Sequence, residues 1–333
     1  MKKVFIIAEA GVNHNGELDL AKKLVDVAVD SKADAVKFQT WNTDLLLTQS
    51  AKQAHYQTSN TGIEESQFQM VKKLELPHSD FLRLKEYCDM KQIIFMSTPD
   101  DLESAIFLSN LQNIFKIGSG AVTDLHLLRY VGGLKKSIIL STGMATINEI
   151  EDALEVLERA GTPRNRITIL HCTSEYPAPM SDVNLRAMSS MRETFGTEVG
   201  YSDHTLGIEV ATAAVALGAT VLEKHFTLDA NLPGPDHIAS LNPIELKSMI
   251  TAIRNIEFAM GDGVKRVMPS EIENRNVVRK AIVASRAIVA GELFTADNIT
   301  TKRAGDGISP MRWDEVLGMT AIRSFSEEEL IDL

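Results

Sequence analysis

Short runs of apolar residues alternate along this chain with longer stretches that have helical spacing, and this alternation constrains the fold more than any other feature. Stretches such as LDLAKKLVDVAVDSK and TINEIEDALEVLERAG repeat their apolar residues at helical intervals. Strands that alternate with helices pair in parallel through right-handed crossovers. Eight runs have the length of buried strands: VFIIAEAG, AVKFQT, IIFMST, IFKIGSG, SIILSTG, ITILHCT, TEVGYSD and VLEKHF.

Eight strand–helix units predict a (β/α)8 TIM barrel, an α/β fold, over residues 1–265. A doubly wound open sheet is the alternative, but no GxGxxG motif follows the first strand. Beyond residue 265 the alternation of apolar strands with helices ends. The polar segment 266–280 is interpreted as a linker, and 281–333 combines short β-like runs with turn signals, which predicts a small, mostly β domain.

The composition excludes several classes of protein. The chain of 333 residues is 44% hydrophobic and 24% charged, as globular proteins are. A formal net charge of -11 argues against sequence-independent nucleic-acid binding, although a local basic pocket for a small anion stays compatible with it. Cys88 and Cys172 lie in no CxxC or CxxH pattern, so neither a zinc knuckle nor a disulfide framework is expected, and a cytoplasmic location fits. No run is long enough for a signal peptide or a membrane span.

Polar residues close every one of the eight predicted strands. Active sites of TIM barrels lie at the carboxyl ends of the strands, so these residues are the candidates for a site. In chain order they are Glu9, Lys37 with Gln39, Ser97 with Thr98, Lys116 with Ser119, Ser141 with Thr142, His171 with Thr173, Ser202 with His204, and Lys224 with His225.

Two lysines and two histidines are the most informative of these strand-end residues. Lys37 and Lys116 lie in otherwise apolar runs, and a buried lysine needs a charge partner. Either they form ion pairs inside the barrel, or two ammonium groups and a ring of hydroxyls surround a phosphate and a carboxylate. A lone histidine is more often structural than a ligand, but His204 and His225, both at strand ends, would together offer a metal two nitrogen ligands.

The segments AEAGVNHNG, VKFQT, FKIGSG, LHCTSEYPAP, YSDHTLG, LEKHFTLD, PGPDH and KRAGDGISP resemble the sialic acid synthase family over nearly the whole chain. Members of this family join a (β/α)8 barrel to a C-terminal antifreeze-like (SAF) domain. They condense phosphoenolpyruvate with a 2-acetamido-mannose-type aldose to a nine-carbon 2-keto acid, and phosphate leaves by C–O cleavage.

The resemblance implies roles for individual residues. Phosphoenolpyruvate would be held by Lys37, Thr98, Lys116, Ser119, Ser141, Ser174 and Ser202, and the sugar would face Glu9, Gln39, Tyr176 and Asp236. Glu9, Lys37, Asp236 and Arg303 would be catalytic. His204 and His225 would bind a divalent metal, with Mn²⁺ favoured over Mg²⁺ or Co²⁺. Arg303 resembles the arginine that the antifreeze-like domain places over the partner's barrel, which implies a domain-exchanged homodimer.

Two positions depart from the family pattern. Ala121 stands where many members have an acid that handles the attacking water or the tetrahedral intermediate, and Glu9 and Asp124 are the candidates to replace it. Ser174 stands where the sialic acid branch has an asparagine near the phosphate, and its hydroxyl still donates one hydrogen bond.

Several readings stay open at the level of sequence. HCTSEYPAP, PSEIENR and KRAGDGISP look closest to the legionaminic acid branch, whose sugar is a 2,4-diacetamido-2,4,6-trideoxy-mannose. An N-acetylneuraminic acid synthase that uses N-acetylmannosamine is the alternative, and a pseudaminic acid synthase ranks third. A metal-dependent pyruvate aldolase and an inactivated barrel that binds carbohydrate are the readings outside this class. Two of the candidate residues also have non-catalytic interpretations: Glu9 could form a structural ion pair, and Asp236 could belong to an ordinary turn.

Overall fold

Eight parallel strands form the centre of the larger part of the chain. The computed structural model describes residues 3–333, which divide into one unit ending at Asp262 and a second, Gly263–Leu333. The strands of the first unit are β1 (Phe5–Gly11), β2 (Ala35–Thr40), β3 (Ile94–Pro99), β4 (Ile114–Ile117), β5 (Ser137–Ser141), β6 (Ile167–Cys172), β7 (Glu198–Asp203) and β8 (Val221–His225).

At least one helix follows each strand. The helices of the first unit are α1 (Leu18–Asp30), α2 (Thr43–Leu46), α3 (His55–Thr61), α4 (Gln67–Leu74), α5 (His78–Lys91), α6 (Leu102–Leu108), α7 (Leu125–Gly133), α8 (Ile147–Ala160), α9 (Ala187–Phe195), α10 (Glu209–Ala216) and α11 (Pro243–Ala259).

The strands are ordered as a barrel. The sheet runs β3-β2-β1-β8-β7-β6-β5-β4, so β1 pairs with β8 as well as with β2. Within residues 3–333 no ladder joins β3 to β4, and the ring is near-closed. The predicted (β/α)8 barrel is therefore confirmed, and the doubly wound open sheet is wrong.

Successive side chains along each strand point alternately outward and into the barrel. One set points outward into the layer between strands and helices, while the other points into the lumen. The lower lumen is closed by a buried apolar layer of Ile7, Ala35, Met96, Ile139, Leu170 and Val221. Because this layer seals the barrel, polar lumen residues are confined to the carboxyl ends of the strands.

The second unit contains a small antiparallel sheet. Strand β9 (Lys280–Ala284) pairs with β10 (Ile299–Arg303), and isolated bridges such as Ile288 to Phe325 add further β structure. Its core includes Ile282, Phe294, Phe325 and Val316, the last of which belongs to α13 (Trp313–Val316). The mostly β character predicted here is confirmed.

The segment interpreted as a linker, 266–280, has structure of its own. It contains helix α12 (Ile272–Val278), and β9 already begins at Lys280. The limits assigned from the sequence, 1–265, 266–280 and 281–333, stay a prediction. None of the described helices has both the length and the hydropathy that a membrane span requires.

Candidate active site

A cavity of about 340 Å³ lies at the carboxyl ends of the barrel strands. It brings together residues from all eight strands or the loops that follow them. The sequence-predicted site residues among its walls are Glu9, Lys37, Gln39, Thr98, Lys116, Ser119, Ser141, Ser174, Tyr176, Ser202, His204 and His225.

A network of buried charges forms the floor of this cavity. Nζ of Lys37 lies 2.8 Å from Oε2 of Glu9 and 3.7 Å from Oε2 of Glu223, and it donates a hydrogen bond to Oγ1 of Thr98 at 2.8 Å. Nζ of Lys116 lies 3.4 Å from Oε1 of the same Glu223. Glu223 thus contacts both lysines, and it links β2 and β4 to β8.

The pKa values of the two carboxyl groups of this network are shifted in opposite directions. Burial raises the pKa of Glu9 to about 8, against the pull of Lys37. Burial acts on Glu223 in the same direction, but Lys116 and Lys37 hold its pKa below the usual value. Burial alone would lower the pKa of Lys37, but Glu223 and Glu9 raise it. The raised pKa of Glu9 reduces the negative charge that faces the two lysines, and this favours the binding of an anion.

Three serine hydroxyls converge beside the lysines. The backbone N–H of Gly143 donates to Oγ of Ser119 at 3.0 Å, and a Cβ on Gly143 would lie 2.1 Å from Oγ of Ser174. Only glycine leaves this space open. Oγ of Ser141 is buried without a hydrogen-bond partner in the described chain. The unpartnered hydroxyl of Ser141, together with those of Ser119 and Ser174, forms a cradle for phosphate oxygens beside the two lysines.

His204, His225 and Tyr176 form an aromatic group on the other side of the cavity. The rings of the two histidines are 5.5 Å apart, and the ring of Tyr176 lies 4.1 Å from that of His204. Nδ1 of His204 contacts the carbonyl oxygen of Thr173 at 2.6 Å, which makes Nδ1 the donor and leaves the lone pair on Nε2.

The protonation state of the two histidines suits a metal ion. Burial lowers the pKa of His204 to about 4, and burial also lowers that of His225, so both rings are in the neutral form that ligates metals. Nδ1 of His225 is buried with no hydrogen-bond partner in the described chain. Among residues 3–333 no third His, Cys, Asp or Glu completes a ligand group, so a metal here would take its remaining ligands from water and substrate.

Two predicted site residues lie outside the walls of this cavity. Asp236 is buried, with Oδ2 3.7 Å from Nδ1 of His225, and burial raises its pKa to about 6. Arg303 ends β10 in the second unit, where its side chain is exposed. No carboxylate of the described chain lies within ion-pair distance of Arg303.

Helix α3 supplies residues that sequence reasoning missed. Tyr56 and Gln57 line the cavity, and the ring of Tyr56 lies 5.0 Å from that of Tyr176. Nδ2 of Asn60 donates to the carbonyl oxygens of Tyr176 and Pro235, at 3.0 and 2.7 Å. These bonds hold α3 against the loops after β6 and β8. Helix α3 is an insertion between β2 and β3, so no strand-end rule pointed to it.

Strand parity separates the strand-end residues into two groups. Lumen residues are two apart, so Glu223 points inward with His225, and it was missed although its position follows from that spacing. Lys224 points outward, where its ammonium group lies 2.8 Å from Oδ2 of Asp203. The strand-end candidates Ser97, Thr142 and His171 likewise bond outside the lumen, to Thr40, Leu170 and Val183.

Asp124 does not stand in for the acid missing at Ala121. Its carboxylate is exposed and caps helix α7 by accepting the N–H groups of His126 and Leu127. Ala121 itself packs against the core outside the barrel. The carboxyl groups that do line the cavity are Glu9, Glu223 and Asp100, and Asp100 was not predicted.

Comparisons with known proteins agree on one family. The NeuB family profile matches residues 24–265, and the SAF domain profile matches residues 279–332. An N,N'-diacetyllegionaminic acid synthase from Campylobacter jejuni subsp. jejuni serotype O:2 is 54% identical, with 99% of each chain covered. Its namesake from Legionella pneumophila subsp. pneumophila is 43% identical over 94% of this chain and 89% of that protein.

A solved structure shows the same likeness. It is the N-acetylneuraminic acid (sialic acid) synthetase from Leptospira borgpetersenii serovar Hardjo-bovis in complex with citrate. The two proteins are 36% identical and superpose with a TM-score of 0.71, over 83% of this chain and 93% of that one.

The charge network predicts a variant whose stability depends on anions. Glu223→Gln leaves Lys37 and Lys116 with too little negative charge, and breaking a buried ion pair in this way costs about 3 kcal/mol. Phosphate should return more stability to this variant than to the wild type, because the cavity has gained positive charge. Urea unfolding followed by circular dichroism, with and without phosphate, measures both effects.

Glu198→Gln is the matched control, since Glu198 begins β7 and is exposed. It should unfold as the wild type does in both buffers. Equal responses of Glu223→Gln and Glu198→Gln to phosphate would contradict the role assigned to Glu223.

Proposed function

Because this chain belongs to the NeuB family and ends in a SAF domain, we propose that it is a nonulosonic acid synthase. It condenses phosphoenolpyruvate with the open-chain aldehyde of a 2-acetamido-mannose-type sugar to give a nine-carbon 2-keto acid and phosphate. It is a C–C bond-forming transferase. The observation that carries the proposal is the anion cavity, in which two buried ammonium groups and a cradle of serine hydroxyls lie beside a pair of neutral histidines.

Phosphoenolpyruvate matches the positive side of the cavity. Its phosphate is held by Lys116 with the hydroxyls of Ser119, Ser141 and Ser174, and its carboxylate by Lys37. Further hydrogen bonds come from Thr98, which already accepts one from Lys37, and from Ser202, which lies 3.1 Å from Glu223. Charge-assisted bonds of this kind are about twice as strong as neutral ones. They orient C3 of the enol toward the histidine side.

The sugar occupies the space between the histidines and helix α3. Tyr176 offers an aromatic face there, and Gln39, whose Nε2 donates to Glu9 at 3.2 Å, offers an amide for sugar hydroxyls. His204 and His225 hold a divalent metal, with Mn²⁺ favoured over Mg²⁺ or Co²⁺. When bound, that metal polarises a carbonyl oxygen as a Lewis acid. Asp236, 3.7 Å from His225, orients the ring of this ligand.

The acids of the site divide the proton transfers. As C3 attacks the aldehyde carbon, the aldehyde oxygen gains negative charge and needs a proton. Glu9, which holds its proton near neutral pH, supplies it. Lys37 stays charged through the reaction and stabilises the negative charge on the substrate carboxylate. Water then adds at C2 and gives up one proton, which restores the proton that Glu9 has donated, and phosphate leaves with its bridging oxygen.

The favoured sugar is 2,4-diacetamido-2,4,6-trideoxy-mannose, which makes legionaminic acid the product. Support comes from the two relatives named as N,N'-diacetyllegionaminic acid synthases, of which one is 54% identical over almost the whole chain. N-acetylmannosamine is the alternative, in line with the name of the Leptospira structure. The substrate of a pseudaminic acid synthase ranks third.

The active site takes Arg303 from a second copy of the chain in a domain-exchanged homodimer. Arg303 is exposed in its own unit and has no ion pair in the part of the chain that the structure describes. An arginine in that state is available to a substrate carboxylate or hydroxyl. Residues 1–265 supply the barrel, 266–280 the connection and 281–333 the antifreeze-like domain.

The reaction is tested by phosphate release from phosphoenolpyruvate with a panel of sugars. The diacetamido sugar should give the highest kcat/KM, with N-acetylmannosamine slower and the sugar of pseudaminic acid synthesis slowest, since a missing or differently placed acetamido group leaves polar groups of the site without a partner. Release must require a sugar, so phosphoenolpyruvate alone is the control. Pyruvate in place of phosphoenolpyruvate should give no product. Condensation with pyruvate would favour an aldolase instead.

The exchanged arrangement is tested by complementation. Arg303→Ala and His204→Ala should each lose nearly all activity when expressed alone, and they should recover activity when co-expressed. In a mixed dimer the barrel that keeps His204 receives its arginine from the other chain, so random pairing restores roughly a quarter of all sites. If mixed dimers form, as mass spectrometry checks, and no activity returns, then Arg303 does not act on the partner's barrel.

A further inference from the structure

Asp100 is the third carboxyl group that lines the cavity, beside Glu9 and Glu223. It follows β3 directly, and its half-buried side chain lines the cavity with Lys37, Lys116 and Gly118. A Cβ on Gly118 would lie 3.9 Å from Oδ1 of Asp100, so the carboxylate lies against the turn that leads to Ser119. This places Asp100 on the phosphate side of the cavity.

The carboxylate of Asp100 has no hydrogen bond or ion pair within the described residues, although its backbone N–H donates to the carbonyl of Thr40. The other two carboxyl groups that line the cavity, Glu9 and Glu223, are each tied to a lysine. An ionised Asp100 would therefore face an incoming phosphate directly. Two like charges in the same part of a cavity repel, unless one of them takes up a proton.

We propose that Asp100 is the proton carrier of the phosphate side: it takes up a proton when the anion binds and donates that proton to the departing phosphate. The inference rests on the proposed reaction and adds a catalytic residue to it. Asp100, which lies on another loop, would thereby replace the acid that many family members have at the position of Ala121.

The step balances in protons and electrons. After water has added, C2 carries a hydroxyl group and the phosphate ester oxygen. The bond between C2 and that oxygen breaks with both electrons on the oxygen, which takes the proton of Asp100 and leaves as hydrogen phosphate. A lone pair of the hydroxyl oxygen forms the C=O bond of the 2-keto acid. The proton of that hydroxyl returns to the carboxylate of Asp100, so no other reagent is needed.

The surroundings of Asp100 suit this exchange. Burial raises the pKa of Asp100 to about 7, although Lys37 from β2 and Lys116 from β4 act in the opposite direction, and Asp101 beside it adds to the rise. A phosphate nearby raises the pKa further, so at pH 8 a mostly ionised group becomes protonated on binding. A proton donor is most effective when its pKa lies near the working pH.

Binding of the anion alone tests the proton uptake without any sugar chemistry. Calorimetric titration with inorganic phosphate and with phosphoenolpyruvate, at pH 8 in two buffers of different ionisation enthalpy, gives the number of protons taken up. The wild type should take up about one proton more per bound anion than Asp100→Asn. Asp100→Asn should also bind the anion more tightly, since it lacks the negative charge. Asp124→Asn, an exposed acid outside the cavity, is the control and should match the wild type.

Turnover tests the proton donation. Asp100→Asn should lose about 100-fold in kcat while its KM for phosphoenolpyruvate stays equal or falls, a split that a merely structural defect does not produce. Asp100→Glu should keep part of the rate and shift the pH profile of kcat. Equal proton uptake by wild type and Asp100→Asn, or a kcat within twofold of the wild type, would overturn the inference. A wild type that takes up the proton but releases no phosphate with any sugar would instead refute the proposed reaction.

Discussion

The contact of Glu223 with two lysines is the interaction on which the site depends. Lys37 and Lys116 come from β2 and β4, the two strands on either side of β3, and each lysine would be costly to bury alone. Glu223 makes their burial tolerable without neutralising both charges, while Glu9 holds its proton near neutral pH. The remaining positive charge is what makes a chain with a net charge of -11 able to hold a substrate that carries both a phosphate and a carboxylate.

A second buried ion pair, outside the lumen, supports the histidine side. Nζ of Lys224 contacts Oδ2 of Asp203 and the carbonyl oxygen of Thr205, and Oδ1 of Asp203 accepts the hydroxyl and the backbone N–H of Thr205. Lys224 and Asp203 each neighbour one of the two histidines in sequence. The bonds between them fix the ends of β7 and β8 against each other. Alternation along the strands therefore assigns catalysis to one face and support to the other.

Much of this organisation could be predicted from the sequence, because the barrel follows from strand–helix alternation and because active residues of barrels lie at strand ends. The predictions failed where the alternation of side chains along a strand was not taken into account. Lys224 was grouped with His225, although it is Glu223 that lies on the same face of the strand as His225. Asp100, Tyr56 and Asn60 lie beyond strand ends or on an inserted helix, and their positions depend on packing between segments distant in sequence. The roles of Glu9, Asp236 and Arg303 stay predictions, since proximity alone does not assign chemistry.

The fate of the bridging oxygen of phosphoenolpyruvate distinguishes C–O from P–O cleavage, because in the proposed reaction the cavity holds the phosphate while C2 gains an oxygen from water. The measurement uses phosphoenolpyruvate labelled with ¹⁸O at the bridging position, the diacetamido sugar as co-substrate and mass spectrometry of both products. We expect all of the label to leave in phosphate. Label retained in the 2-keto acid would mean that the P–O bond breaks, and would contradict the chemistry assigned to this site.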